Sequence, residues 1–261
     1  MQTLGVIGFG TFGQLVARHL KDQIRVFPWD LKDQRKKAAS LGLTWSTLEE
    51  AASCSNVLLA VPIGEMPTAL AQVGPYLRPG ALLMDVCSVK LAPVEWMLAA
   101  APSDVEVLGI HPLLGPVSSR AGILGSTVVL CPGRTTRIDR IRAFIEGLGL
   151  RVVITSAREH DRHMAYSQAL THFLIRGLDG AGIVDRELQT PSFERLMRIM
   201  EALIKDSPAL FRDMQTYNPF AAEARSRLLE ALIRLDHDLV KATPADLDKD
   251  SPGEMDPDSS C

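Results

Sequence analysis

Ser88 and His111 are the side chains of this sequence best suited, by type and spacing, to proton chemistry. Each follows an apolar run with the pattern of a buried strand. Leu82-Leu83-Met84 leads into Asp85-Val86-Cys87-Ser88, and Val107-Leu108-Gly109-Ile110 leads into His111-Pro112. A doubly wound sheet binds ligands beyond the carboxyl ends of its strands, so both residues are expected at one edge. A histidine there can take a hydroxyl proton while hydride leaves, because its ordinary pKa lies near the working pH. On spacing alone, a histidine at a strand end before proline serves structure as often as catalysis. Ser88 could equally cap the helix that starts near Leu91.

Hydride needs an acceptor, and the start of the chain offers a place for one. Leu4-Gly5-Val6-Ile7-Gly8-Phe9-Gly10-Thr11-Phe12-Gly13 is a G-x-G-x-x-G turn between a strand pattern and a helical one. Gly8 permits the tight turn, Gly10 lets backbone approach a pyrophosphate, and Gly13 lets the helix lie close on the strand. Thr11 and Phe12 open the helix, whose free N–H groups point at the anion. Asp30 ends the second strand, where a carboxylate accepts from ribose hydroxyls and repels a 2′-phosphate. The cofactor expected is NAD; Lys32 and Arg35 lie near enough to keep NADP open. Val61-Pro62 closes the third strand and is expected beside the same ligand. No His, Cys, Asp or Glu spacing suggests a metal.

The elements that must position these residues alternate. Strand patterns occur at 3–8, 24–29, 56–61, 81–86, 105–110, 126–131 and 151–154, with helical stretches at 11–21, 32–41, 64–76, 90–99 and 135–148. Several strands are continuous aliphatic runs, as in sheets buried on both faces. After Thr155 three long helical segments follow, near 157–183, 191–214 and 220–241. The fold class expected is therefore α/β: a Rossmann-type, doubly wound, mostly parallel sheet over residues 1–155, then an all-helical domain over 156–242. Three helices make a thin core, which predicts a homodimer formed through them.

Bulk composition narrows the rest. The net charge of −3 gives no reason to expect nucleic acid or an anionic membrane as a partner. Residues 243–261 hold six acids against one lysine and three prolines, which predicts a disordered acidic tail. No run of 18 apolar residues and no leader-like segment is seen, so a cytoplasmic protein is expected. Cys54, Cys87, Cys131 and Cys261 are scattered and read as free thiols.

Three blocks of sequence together resemble the prephenate/arogenate dehydrogenase family. They are Asp85-x-x-Ser88-Val89-Lys90, His111-Pro112-Leu113-Leu114-Gly115-Pro116, and Glu159-His160-Asp161-x-x-Met164-Ala165-Tyr166-x-Gln168-Ala169-Leu170-Thr171-His172-Phe173. The resemblance covers the nucleotide domain and the first long helix, and continues more loosely through Pro191–Arg212. It implies oxidative decarboxylation of a cyclohexadienyl dicarboxylate, prephenate or arogenate, in tyrosine biosynthesis. His111 would accept the 4-hydroxyl proton, and must be neutral to do so; Ser88 would orient it and contact the nicotinamide. Lys90 reads as a solvated residue at a helix start. His160, Met164, Gln168 and His172 recur every four residues along one helix face. The family places that stripe on the substrate cleft, making Gln168, Thr171 and His172 candidate contacts; a buried polar network fixing helix packing is the alternative. His160 and Asp161 could simply open the helix, Asp161 complementing its dipole.

One stretch departs from the family. Microbial prephenate-specific members carry an arginine after the aromatic residue that follows Ser-Pro, as a carboxylate clamp. Here Pro191-Ser192-Phe193 is followed by Glu194, with Arg195 next and Arg198 one turn on. Arg195 and Arg198 remain candidate substrate contacts. Glu194 would repel a dicarboxylate unless it faces solvent or pairs with an ammonium, which arogenate has and prephenate lacks. Competing readings are another Rossmann/helical-dimer dehydrogenase or reductase acting on 4-amino-4-deoxyprephenate, a β-hydroxyacid or an imine, and a non-catalytic NAD sensor.

Overall fold

A computed structural model describes residues 2–115 and 122–241. Pro116, the end of the His111 block, and the acidic segment 243–261 lie outside the described residues. Seven strands form one sheet in the order β2-β1-β3-β4-β5-β6-β7. They are β1 (Thr3–Ile7), β2 (Arg25–Trp29), β3 (Asn56–Leu59), β4 (Leu82–Asp85), β5 (Glu106–Pro112), β6 (Thr127–Arg134) and β7 (Arg151–Ile154). All neighbouring pairs are parallel except β5 with β6, which run antiparallel. The doubly wound sheet expected from the alternation is present.

The aliphatic runs explain why the sheet is covered on both sides. Successive strand residues point to opposite faces. Val57 and Leu59 therefore join Leu83 and Val107 in a core under α3 (Leu48–Ala52), α4 (Met66–Val73) and α5 (Leu91–Ala100). Leu58 joins Val6, Met84 and Leu130 on the other face, with Ala17 of α1 (Thr11–Leu20), Ala38 of α2 (Arg35–Ser40) and Ile145 of α6 (Ile138–Gly147). An apolar cavity of about 340 Å³ opens between α1 and α6, lined by Leu15, Met84, Val86, Ile110 and Phe144 among others.

Helices alone follow Ile154: α7 (Ala157–Met164), a π-helical turn at Ala165–Ala169, α8 (Leu170–Gly180), α9 (Pro191–Ile204), α10 (Pro208–Tyr217) and α11 (Ala221–Lys241). The first two long segments expected are thus each interrupted. Ser207 caps α10 and Pro208 follows, which ends α9 near Ile204. Contacts group residues up to Ala221 into one compact unit and set the rest of α11 apart as a second. Cys54, Cys87 and Cys131 are buried free thiols. No described helix is long and apolar enough to cross a membrane.

Gly5 fixes how closely α3 lies on β1. A Cβ there would stand 1.9 Å from the carbonyl oxygen of Ala51. Backbone cannot yield as a flexible side chain can, so Gly5→Ala is expected to destabilise by about 1–3 kcal/mol, as overpacking does. Urea denaturation should show a lower midpoint with an unchanged slope.

Candidate active site

The register of the sheet brings three loop starts to one edge. Ile7, Leu59, Asp85 and Gly109 are aligned across β1, β3, β4 and β5. Beyond Ile7 the glycine turn is held tightly. Gly8 has φ +95°, and a Cβ on it would meet the Ala60 carbonyl oxygen at 2.5 Å. A Cβ on Gly13 would stand 2.1 Å from the Gly8 carbonyl oxygen, whereas one on Gly10 would meet nothing within 4 Å. The close contacts at Gly8 and Gly13 and the open face at Gly10 are what a pyrophosphate cradle requires. Gly10 also caps α1 without a side chain, leaving first-turn N–H groups for an anion. Thr11 is exposed and Phe12 half-buried at that turn.

Asp30 lies against the same loop. One carboxylate oxygen accepts from the Phe9 amide at 2.7 Å and the other from the Lys32 amide at 2.9 Å. The negative charge is thereby fixed beside the glycine turn, where it opposes a 2′-phosphate. Arg35, one of the two cations near it in sequence, lies 3.8 Å from Asp33. Val61 and Pro62 extend β3 next to Gly8 and Cys87, the Val61 carbonyl lying 4.0 Å from the Cys87 thiol.

His111 continues β5 past this edge and is buried. Its Nδ1 lies 2.8 Å from Nε2 of His160, and Nδ1 of His160 lies 2.7 Å from Asp161 Oδ1. Asp161 also accepts from the Lys90 and Leu91 amides, at 2.7 and 2.9 Å, and so caps α5 from another helix. Asn218 donates to the Asp161 carbonyl at 2.8 Å. The dipole that Asp161 complements is that of α5 rather than of its own helix. Ser88, expected to orient His111, makes no hydrogen bond among the described residues: its buried Oγ is unpartnered, as is Asp85 Oδ1. His111 is oriented by His160.

Lys90 is fully buried, not solvated. Its Nζ donates to Asp85 Oδ2 and, at 2.8 Å, to the Ile110 carbonyl next to His111. Removing either partner alone would leave a buried unpaired charge, costing about 3–5 kcal/mol.

On α8, His172 is buried, with Nε2 3.9 Å from Asp206 in the α9–α10 connection. Arg176 donates to the Asp206 carbonyl at 2.7 Å and stacks on Phe211. Gln168 lies in the π turn and is half-buried; the Thr171 hydroxyl turns back to the Ser167 carbonyl at 2.9 Å. Arg195 and Arg198 sit on the exposed side of α9, where Arg198 lies 3.7 Å from Glu194. Glu194 faces solvent with Arg198 beside it. Sequence reasoning missed Asp206 because nothing local distinguishes an acid between a helix end and a Ser-Pro cap.

The family described as prephenate dehydrogenase, nucleotide-binding domain, matches residues 16–154. The chain belongs to the prephenate dehydrogenase family. A second pattern, TYRAAT1-like C-terminal domain, matches residues 178–251. A probable arogenate/prephenate dehydrogenase of Methanocaldococcus jannaschii is 30% identical over 83% of this chain and 52% of its own length. Arogenate dehydrogenase 1 of Arabidopsis thaliana is 30% identical over 86% of this chain and 37% of its own. The chain thus spans about half or less of these two curated relatives. Among solved structures, prephenate dehydrogenase from Aquifex aeolicus with hydroxyphenyl propionate and NAD+ has a TM-score of 0.76 at 21% identity, covering 92% of this chain and 91% of that one. Synechocystis arogenate dehydrogenase has 0.68 at 22%, covering 95% and 99%. These two likenesses are in fold.

Burial pushes the His111 pKa well below the ordinary 6.5, helped by His160 and the Lys90 ammonium. Burial also lowers His160 and His172, against the pull of Asp161 and Asp206. Each ring protonates more readily once unfolded, so the unfolded chain binds more protons as pH falls below about 6.5. Stability from these rings is complete above that pH and is lost below it. Melting curves should give a lower midpoint at about pH 5.5 than at about pH 7.5.

Proposed function

We propose that this member of the prephenate dehydrogenase family catalyses NAD-dependent oxidative decarboxylation of a cyclohexadienyl dicarboxylate, with arogenate used at least as well as prephenate. The observation that carries the reading is His111, a buried histidine held below its ordinary pKa at the strand edge shared with the glycine turn. The turn and Asp30 fit NAD: the open face at Gly10 admits the pyrophosphate and the carboxylate favours an unphosphorylated ribose. When bound, NAD supplies the hydride acceptor. His111 takes the proton of the 4-hydroxyl as the carbinol carbon loses hydride and the ring carboxylate leaves as CO2. The buried Ser88 hydroxyl lies unpartnered at the same edge. Gln168, Thr171 and His172 line the substrate side.

Asp206 supports the preference for arogenate. Its carboxylate faces the buried His172 and can receive an ammonium through a charge-assisted hydrogen bond; a keto group offers it nothing. The exposed apolar side chains of α11, among them Leu232, Ile233, Leu235 and Leu239, support a homodimer as the assembled state.

Two measurements test this. Purified protein should form NADH from arogenate, prephenate or both, and His111→Asn should lower kcat by about 10²- to 10⁴-fold. Absence of turnover of either substrate, with NAD bound, overturns the reading. Asp206→Asn should lower kcat/KM for arogenate relative to prephenate by about 10- to 100-fold, since a hydrogen bond to a charged group contributes about 1.5–3 kcal/mol. An unchanged ratio removes Asp206 from substrate selection.

A further inference from the structure

We infer that His160 and Asp161 form a positioning pair that fixes which ring nitrogen of His111 carries the proton. The inference rests on the reading of His111 as the base, but its structural half stands apart from any substrate. Asp161 is an acceptor: its two oxygens already receive the Lys90 and Leu91 amides of the α5 N-terminus. The 2.7 Å contact to Oδ1 therefore takes its proton from His160 Nδ1. A neutral His160 with its proton on Nδ1 has a lone pair at Nε2. That lone pair faces His111 Nδ1 at 2.8 Å, so His111 Nδ1 is the donor. Nε2 of His111 is then left unprotonated, the state a general base needs.

Asp161 is held from outside the pair. Asp161 is fixed by the α5 amides and by Asn218 on its carbonyl, and His160 is buried against the His111 ring at 5.0 Å between centroids. The charged groups nearest the rings are Lys90 and Asp85 from the β4 edge and Asp161 from α7. The Lys90 ammonium donates to Asp85 and the Ile110 carbonyl and has no lone pair, so it offers no competing acceptor to Nδ1. Ser88 Oγ makes no bond that could set the tautomer in place of His160. In a serine protease triad the buried aspartate has the same task with one histidine; here a second histidine stands between acid and base.

The test is the nitrogen spectrum of the full chain labelled with ¹⁵N-histidine, His111 being assigned by its loss in His111→Asn. In wild type at neutral pH, His111 should show a protonated Nδ1 and an unprotonated Nε2. His160→Gln keeps an acceptor, its amide oxygen, and should preserve that pattern. His160→Leu removes the acceptor and should release His111 to a mixture or to the Nε2–H form. With whichever substrate is turned over, His160→Leu should lower kcat by about 10²-fold or more, the range of general-base effects, with NADH affinity by fluorescence and KM changed little. Glutamine should recover at least about tenfold of that loss. A wild-type His111 protonated at Nε2, or a tautomer unaltered by leucine, overturns the inference. If His160→Leu does not fold, the wild-type and glutamine spectra decide it. Failure to turn over either substrate would remove the proposed reaction while leaving the tautomer assignment to stand or fall on the spectra.

Discussion

One carboxylate ties together the two kinds of structure in the compact unit. Asp161 sits on a helix of the all-helical segment, yet its oxygens satisfy the first amides of α5, a helix of the sheet layer. Four orphan N–H groups open every α-helix, and a buried end without acceptors is costly. Elsewhere the sequence uses local caps: Thr47, Ser156, Thr190 and Ser207 each serve their own helix. At α5 the cap comes from about seventy residues away. The same carboxylate is hydrogen-bonded to His160, so the docking of α7 and the orientation of the His111 ring are a single arrangement. Substitution at Asp161 cannot affect one without the other.

Lys90 gives the arrangement its second fixed point. Full burial of an ammonium is tolerated because Asp85 and the Ile110 carbonyl receive it. Ile110 precedes His111, so the cation that orders this edge of the sheet also disfavours a second positive charge on the neighbouring ring. The neutral form of His111 is thereby favoured by a cation that makes no hydrogen bond to its ring.

What could be read from the sequence follows from how local each signal is. The strands and the glycine turn were legible because periodicity, β-branched runs and the spacing of Gly8, Gly10 and Gly13 are properties of contiguous residues. His111 and Ser88 were found by their places at strand ends. The groups that order the surroundings of His111 were not: Lys90 reads as a solvated helix start, and Asp161 as a residue serving its own helix. Both assignments fail for one reason, that the acceptor or donor concerned lies on a different element. Glu194 attracted attention through its neighbours in the chain, and Arg198 one turn on answers it at the surface. Asp206, 34 residues beyond His172, became visible once α8 and the α9–α10 connection were packed together.

The π turn at Ala165–Ala169 has a consequence for registry between the two buried histidines of this long helical segment. An α-helix advances about 100° per residue, so twelve residues separate His160 from His172 by about 120° of rotation. A wider turn takes up roughly one extra residue and returns the later ring to about the angle of the earlier one. The extra residue acts as a phase correction. Deleting one residue of the turn would close it to regular α-helix and keep His172 at about its present angle, since eleven steps of about 100° end roughly 20° from His160, whereas straightening the turn at full length would swing His172 by about 100°.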